Sequence, residues 1–439
     1  MFSKVLKVFV CGVLVIFGVL AIHIVVYAEQ DLPNAPGWRF DEAVPMEILK
    51  KMYGSDQNPN PLTNKQKIIG SWGYGARNVD EIKDLLLPAF YNVLKHPEIW
   101  GHIRINETAY MKPRGKYWEI YQKATEKYKG ACRLDKDGWL HDYVAGCPFP
   151  DVDVDNDPQA GVKLVWNFQK RFIYDDERSA GGQFVKDRSG NVRKIFLERI
   201  WLQFFNRKAV DPKPVYKPNP LGLDYAYGFG YLQPYNLRGT IPMYYRYIDN
   251  KPDDMWMYIP AMRRVRRMST AQKQDRLPGG MDFTWDTNDC FGGNVSDFNV
   301  AYLGRKELLV PLMTKAQAQY DVNGYFSGQD QYYQRVNCYV VKLTYKKPVT
   351  MTDIYLYLDP VEFRSTFSID TDIKGQEWMI QIYCWMRDKE WIPHQMCQSA
   401  VDLQRRHGTP APCCFPDLNI GLTYEDILMK NLKKHYLSR

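Results

Sequence analysis

The chain has 439 residues, of which 25% are charged and 45% belong to the hydrophobic set AVILMFWYC. This composition is ordinary for a globular protein with a core, and the length allows two or three domains, or one large β domain with extensions. The aromatic share of 14% favours β structure. The formal net charge of +8 suits an anionic partner, but the absence of a nucleic-acid-binding motif excludes nucleic acid as the expected one.

The first 28 residues differ from the rest of the chain. Lys4 and Lys7 precede an apolar run from Val8 to Val26, and compact residues end at Ala28. This pattern predicts a signal peptide, residues 1–28, cleaved after Ala28. The alternative is an uncleaved membrane anchor, because the run is about long enough to span a bilayer. We expect an exported, soluble mature protein, since no other stretch is long and apolar enough to cross a membrane.

Cysteine usage agrees with export. Eight cysteines remain once Cys11 leaves with the signal peptide: Cys132, Cys147, Cys290, Cys338, Cys384, Cys397, Cys413 and Cys414. An even number in an exported chain predicts disulfide bonds, whose connectivity the sequence does not fix. Cys132 with Cys147, and Cys384 with Cys397, are local candidates, and the adjacent last two would pair with other segments. No zinc-binding spacing occurs, so no metal is expected.

Residues 29–130 look helical and irregular. Asn78 and Glu81 resemble the two ends of a capping box, opening a helix that carries Ile82 and Leu85. Pro88 is expected to interrupt or kink that helix. We therefore predict a helical N-terminal region, residues 29–130, packed on a larger β domain.

From about Gly161 the apolar residues alternate with polar ones, as in Tyr339 to Lys346. This periodicity predicts half-buried β-strands, with turn residues between them. Many antiparallel strands with few helices favour a barrel or a strongly curved sheet over residues 131–410. The predicted strands are Val162–Tyr174, Met243–Tyr247, Met255–Ile259, Tyr339–Lys346, Asp353–Asp359 and Trp378–Arg387.

The tail, residues 411–439, is predicted to end in a short helix. Thr423 is the expected N-cap, with Asp426 three residues later. Lys433 and Lys434 would interact favourably with the negative end of the helix dipole.

Catalytic signatures are absent from the sequence. There is no G-x-S-x-G, no H-E-x-x-H, no P-loop and no complete G-x-G-x-x-G. We therefore predict a protein that is not an enzyme and needs no cofactor. A catalytic triad assembled from distant residues stays open as an alternative.

Alternating aspartates between Asp151 and Asp157 admit two interpretations. Such a run can wrap calcium, but an EF-hand loop starting at Asp151 needs Gly at its sixth position and Glu at its twelfth. Those positions hold Asn156 and Val162. A solvated acidic loop is the favoured interpretation, and a calcium site is the alternative.

The segment from Met255 to Asp275 combines aromatic residues with four arginines. We predict a hairpin in which Trp256 and Tyr258 share one face, with a turn at residues 260–262 and a returning strand from Arg264. The arginines are Arg263, Arg264, Arg266 and Arg267. In the structural interpretation they pair with the downstream acids Asp275, Asp282, Asp286 and Asp289. In the functional interpretation they rim an apolar cavity and bind an anionic head group.

Residues 255–289 resemble the signature of the outer-membrane lipoprotein-sorting, LolA/LolB-like proteins. More closely, "GCPFPDV" followed by "VWNFQKRF", and the later "DIYLYLDP" and "IYCWMRDKEWIP", are similar to a family of uncharacterised exported proteins of Gram-negative bacteria related to that group. The resemblance covers Tyr110 to Pro410. The family's usual Gly-Thr-Ile-Pro run near the N-terminus is missing, and a "GTIP" stands at Gly239 instead.

The resemblance implies an α+β fold: a half-open β-barrel, or large curved antiparallel sheet, around an apolar interior plugged by helices. It further implies a periplasmic protein that accompanies an RND-type (MMPL-like) exporter and an outer-membrane protein, with association with the outer membrane as an open alternative.

Our leading hypothesis is a non-catalytic carrier of a lipid-like ligand, driven by burial of about 0.8 kcal/mol per methylene. The four arginines are the head-group candidates, and the candidate lining residues are Trp256, Tyr258, Phe283, Trp285, Tyr339, Val341, Leu343 and Tyr345. The alternative is a solid-core interaction protein that docks a membrane transporter or a surface polysaccharide.

Overall fold

The computed structural model describes residues 74–108, 110, 112–312, 324–327, 330–388, 390–411 and 414–437. The predicted signal peptide lies outside the described residues, as does the first part of the predicted N-terminal region. None of the helices in the described ranges is long and apolar enough to cross a membrane.

Helices are few and short in the described chain. The α-helices are α1 (Pro88–Lys95), α2 (Pro97–Trp100), α3 (Lys116–Tyr128), α4 (Ala160–Gln169) and α5 (Met429–Leu437). Short 3-10 helices span Val79–Leu85, Pro260–Met262, Thr270–Gln274, Asn288–Cys290, Val295–Asp297 and Tyr424–Ile427.

Strands dominate the fold. They are β1 (Arg104–Thr108), β2 (Arg133–Leu134), β3 (Leu140–His141), β4 (Asp176–Lys186), β5 (Val192–Gln203), β6 (Leu223–Gln233), β7 (Ile241–Tyr247), β8 (Asp254–Ile259), β9 (Arg264–Arg267), β10 (Phe298–Val310), β11 (Asp330–Tyr345), β12 (Met351–Leu358), β13 (Ser365–Asp372), β14 (Glu377–Arg387), β15 (Pro393–Asp402), β16 (His407–Ala411) and β17 (Cys414–Leu418).

One large curved sheet contains all of these strands except β2 and β3. Its order is β10-β11-β12-β13-β14-β15-β16-β4-β5-β6-β7-β8-β9, with β1 parallel to β11 and β17 antiparallel to β4 beside that path. All other neighbours are antiparallel. Within the described residues β9 and β10 end the sheet and do not pair with each other, so the sheet stays open. The predicted mainly-β α+β fold is confirmed.

The sheet has an inner and an outer face. The chain between β9 and β10, residues 268–297, lies across the inner face and is called the covering segment below. On the outer face, α5 packs against β6 and β7, where Tyr436 contacts Gly230. Trp256 and Tyr258 belong to this outer cluster, whereas Met255 faces the inner core.

The predicted strand Val162–Tyr174 is wrong, because residues 160–169 form helix α4. Leu164, Val165 and Phe168 repeat at helical spacing and are fully buried. Gly161 lets the helix lie close to β10, since an added Cβ would stand 2.8 Å from the backbone nitrogen of Tyr302. A short apolar run is ambiguous between strand and helix, and this tertiary contact decides the outcome.

The predicted capping box at Asn78 is wrong, although Asn78 does stand directly before the first helical residue. Its side-chain oxygen accepts from the backbone nitrogen of Gly75, outside the helix that follows, and residues 79–85 form a 3-10 helix. Pro88 stands at the first turn of α1, where its missing N–H costs nothing. The capping box of Thr423 and Asp426 is confirmed, although it starts a 3-10 turn that precedes α5.

Candidate functional site: an interior cleft beneath the covering segment

Buried ion pairs fasten the covering segment to the inner face. The carboxylate of Asp253 lies 2.6 Å from Lys273 in the segment and 2.6 Å from Arg246 on β7. Arg246 also donates to the carbonyl of Gly292 at 2.9 Å. Burial alone would raise the pKa of Asp253, but Arg246 and Lys273 outweigh it and lower that pKa. The carboxylate of Asp253 therefore stays ionised between the two buried cations.

A second fastening joins the segment to β15 and β16. Asp282, fully buried, lies 2.8 Å from Arg276 and 2.9 Å from the imidazole of His407, and it accepts from Thr409 at 2.7 Å. Arg276 bridges onward to Asp402 at 2.7 Å. The segment is thus fixed at both flanks of the sheet's inner face.

Between these fastenings the segment encloses a cleft of about 50 Å³ against β4, β5, β6 and β15. A volume of this size holds a few water molecules and is too small for an acyl chain. The apolar part of its wall consists of Leu197, Tyr227, Phe229, Leu277, Met281 and Phe283. A longer guest therefore requires the covering segment to move.

The β4 side of the cleft is polar. Glu177, buried on β4, forms an ion pair with Arg199 of β5, and Arg199 also donates to the hydroxyl of Tyr174 at 2.6 Å. Burial would raise the pKa of Glu177, but Arg199 outweighs it and lowers that pKa. Gln183, six residues further along β4 on the same face, is 4% exposed, and its Oε1 has no hydrogen-bond partner among the described residues.

A second pocket of about 40 Å³ adjoins the cleft and shares Tyr227 and Asn288 with it. Trp201 forms one wall and stacks on Tyr225 with ring centroids 4.5 Å apart. Two ion pairs close the other side: Lys170 with Asp224, and Arg171 with Asp289. Gln203 is 5% exposed, and its Oε1 also lacks a partner in the described part of the chain.

The predicted hairpin of β8 and β9 is present, and it places the arginines at the open edge of the sheet. Arg263 stands in the left-handed region with φ 50°, and all of β9 is exposed. Arg267 pairs with Asp254 on the outer face. Arg264 and Arg266 lie opposite Ile259 and Met257 in register, and these four residues share the inner face.

The structure does not pair the arginines with the downstream acids, and three of the four acids expected as partners are engaged elsewhere. Asp282 binds Arg276, and Asp289 binds Arg171. Asp286 accepts from the hydroxyl of Tyr345 at 3.0 Å, and burial raises the pKa of Asp286 to about 6. In the described residues no ion pair involves Arg263, Arg264 or Arg266.

The candidate lining residues are not brought together in one wall. Phe283 lines the cleft, and Trp285 packs on Tyr227, Phe229 and Tyr244. Val341, Leu343 and Tyr345 are buried on the inner face of β11, away from the cleft, and Tyr339 is half-buried beside Phe363. Trp256 and Tyr258 belong to the outer face, under α5.

Sequence reasoning missed Glu177, Gln183, Arg199 and Gln203, which supply the polar side of the interior. A signal was present in "DERSAGGQFVK" of β4, where Glu177, Ser179 and Gln183 stand at odd positions. Period two places these polar residues on one face. Their burial could not be foreseen, since such a face normally points to water.

The predicted acidic loop makes local contacts. Asp153 accepts hydrogen bonds from the backbone nitrogens of Asp155 and Asn156, and Asp157 lies 2.6 Å from Lys163. These contacts form a turn ahead of α4.

Predicted disulfide bonds are absent among the cysteines whose side chains are described, which are free thiols. Cys384 and Cys397 nevertheless stand directly opposite each other on β14 and β15. Burial raises the pKa of Cys147 to about 12 and that of Cys132 to about 11, so both are protonated at neutral pH.

The fold and its interior define a strand-rich protein with an open curved sheet and a covered inner face. The chain belongs to the family described as Protein of unknown function (DUF1329), whose model matches residues 75–410. The resemblance to an uncharacterised family is thereby confirmed. No curated protein matches this chain in sequence.

Solved structures with a similar outline come from several bacteria. A domain described as an outer-membrane lipoprotein-sorting protein from Vibrio parahaemolyticus is 15% identical, covering 63% of this chain and 100% of that one, with a TM-score of 0.47. A DUF1329 family protein from Desulfovibrio piger has the same identity and coverage, with a TM-score of 0.46. A LolA superfamily protein from Nitrosomonas europaea is 12% identical, covering 62% of this chain and 98% of that one, with a TM-score of 0.39.

Proposed function

We propose that this protein is a non-catalytic carrier that binds an amphiphilic, lipid-like ligand against the inner face of its sheet. The observation that carries the proposal is the cleft beneath the covering segment, which combines an apolar wall with buried polar groups. Ligand sites are typically apolar cavities with a few placed polar groups. At about 50 Å³ the cleft accommodates only part of a ligand, so binding requires outward movement of the covering segment.

The open edge of the sheet supports a role for the arginines. Arg264 and Arg266 are exposed on the inner face and form no ion pair within the described residues, so their guanidinium groups are available to a carboxylate or a phosphate. They would meet an anionic head group, or another anionic surface, where the ligand enters. Arg267 is partly neutralised by Asp254 and contributes less.

The setting proposed for this function is the periplasm, after cleavage of the signal peptide, in association with the outer membrane. An RND-type exporter and an outer-membrane protein are the proposed partners. This setting rests on the sequence of the first 28 residues and on the family resemblance.

A solid-core interaction protein remains the second candidate, because the interior is nearly filled. Under that hypothesis the protein docks a transporter or a polysaccharide and carries no ligand inside.

The test is native mass spectrometry of the protein purified from its own periplasm, followed by lipid extraction. Leu197→Trp fills the cleft, whereas Val192→Trp introduces the same indole side chain at an exposed position of the same strand. We expect a bound amphiphile in the wild type and in Val192→Trp, and at least a tenfold lower occupancy in Leu197→Trp. No extractable amphiphile in the wild type would favour the interaction protein instead.

A further inference from the structure

The buried polar atoms that lack a partner in the two interior pockets include both acceptors and donors. Gln183 Oε1 points into the cleft wall, and Gln203 Oε1 and Asp289 Oδ1 line the second pocket, and each is buried with no partner among the described residues. A buried acceptor without a donor is unfavourable, so these atoms favour a guest that supplies O–H or N–H groups. Trp201 Nε1 and Arg171 Nε are buried donors in the second pocket without a partner among the described residues, and they favour acceptors on that guest.

Charges in the two pockets balance. Each cation stands against one acid, in the pairs Glu177 with Arg199, Lys170 with Asp224, and Arg171 with Asp289. A carboxylate or phosphate entering here would add an uncompensated buried charge, and when ionised it has no donor to offer to the oxygens of Gln183 and Gln203. The wall therefore disfavours an anionic group.

The aromatic wall completes the chemistry. Trp201 lies over Tyr225 at 4.5 Å and over Tyr227 at 5.6 Å, with interplanar angles of 16° and 27°. Gln203 lies on the same strand as Trp201, and it is paired in register with Tyr225 of β6. A face of C–H groups can pack on such rings while hydroxyl groups on its rim reach the amide oxygens.

We propose that the paired pockets form a binding site for a neutral, hydroxyl-rich group, such as the glycerol or sugar head of a neutral amphiphile. This inference rests on the proposed carrier function and adds the chemical class of the part that is bound deepest. The preference for anions at Arg264 and Arg266 does not extend to the paired pockets, because β7 and β8 separate these pockets from β9.

The experiment compares three ligands with one acyl chain and different heads: monooleoylglycerol, oleate and oleoyl-lysophosphatidate. Their dissociation constants are measured by competition in native mass spectrometry on the full chain. The variants are Gln203→Leu and Gln183→Leu, which remove the acceptors, and Gln404→Leu at the surface as the matched control. Thermal unfolding of each variant verifies that it is folded.

We expect the wild type to bind monooleoylglycerol at least tenfold more tightly than either anionic ligand. Each interior glutamine variant should reduce this preference to less than threefold and leave the affinity for oleate unchanged, while Gln404→Leu behaves as the wild type. Equal affinity for the three ligands, or a uniform loss in the interior variants, would overturn the inference and leave the carrier function standing. Failure of all three ligands to bind would instead contradict the carrier function itself.

Discussion

Lys273 and Asp253 form a fully buried contact of 2.6 Å between the covering segment and the residue that precedes β8. The same carboxylate binds Arg246 of β7, and Lys273 also lies 3.5 Å from the exposed Asp297. Such a triad is costly to break at one member, because the remaining charges stay buried without compensation. It therefore fixes where the covering segment lies on the sheet.

Asp253→Asn is expected to destabilise the protein by about 3–5 kcal/mol, since it leaves Arg246 buried without its carboxylate and Lys273 with only the exposed Asp297. The neighbouring Asp254→Asn is the matched control. Asp254 pairs with the exposed Arg267, so its loss should cost about 1 kcal/mol or less. Urea unfolding of the two variants and the wild type measures both values, and equal losses would contradict the anchoring role of Asp253.

A pH effect follows from Asp370, which lies buried on β13 without an ion pair in the described residues. Burial raises its pKa to about 7, although hydrogen bonds from Gln381 and Ser368 act in the opposite direction. The usual value is 3.8, so the folded protein binds the proton more tightly than the unfolded chain. Stability from this group is complete below about pH 4 and is lost as the pH rises to about 7.

Asp370→Asn should remove the loss of stability that Asp370 causes as the pH rises. Between pH 4 and pH 7 the unfolding free energy of the variant should gain on that of the wild type by up to about 4 kcal/mol, at about 1.4 kcal/mol per pKa unit. Urea unfolding at a series of pH values measures the gain. Asp417→Asn makes the same charge change at an exposed position and should run parallel to the wild type. A parallel curve for Asp370→Asn as well would refute the assignment.

Much of the sheet was predictable because its strands carry local signals. The strand at Met243–Tyr247, the hairpin of Met255 to Ser269 and the strands at residues 353–359 and 378–387 all have period-two patterns, and the structure confirms them. The strand predicted for residues 162–174 was wrong because their apolar run fits both the helical and the strand period. There the contact between Gly161 and β10, which is not local in sequence, selects the helix.

The interior was less predictable, for a physical reason. Periodicity places Val341 and Leu343 on a buried face, but it does not say whether a guest or another part of the chain covers that face. Phe283 was identified as aromatic and lines the cleft. The period-two pattern that includes Gln183 was visible in the sequence, but it indicated an exposed face, as did Gln203, because a polar residue in a strand is usually exposed. Only the pairing of distant strands reveals that these amides are buried.

The docking of α5 on the outer face depends on Gly230, because a Cβ there would stand 2.4 Å from the ring of Tyr436. Gly230→Ala should loosen α5 and cost about 1–3 kcal/mol. Hydrogen exchange over residues 429–437, together with urea unfolding, measures both effects. If the clash is the cause, Gly230→Ala in a Tyr436→Ala background should cost much less than in the wild type. If Gly230→Ala lowered the unfolding free energy equally in both backgrounds, the cause would lie in strand β6 and not in the contact with Tyr436.

The exposed arginines of β9 give the last prediction, on ligand charge. Arg264→Glu reverses a charge on the inner face of the open edge, beside Arg266, and should weaken oleate and oleoyl-lysophosphatidate at least fivefold more than monooleoylglycerol. Arg188→Glu, at an exposed position of the turn between β4 and β5, makes the same charge change away from β9. Competition in native mass spectrometry at low and at physiological salt gives the affinities. The extra weakening of the anionic ligands in Arg264→Glu should be smaller at physiological salt than at low salt, because salt screens the charge of an exposed side chain. An equal weakening of all three ligands in Arg264→Glu, or the same selectivity change in Arg188→Glu, would show that β9 does not bind the head group.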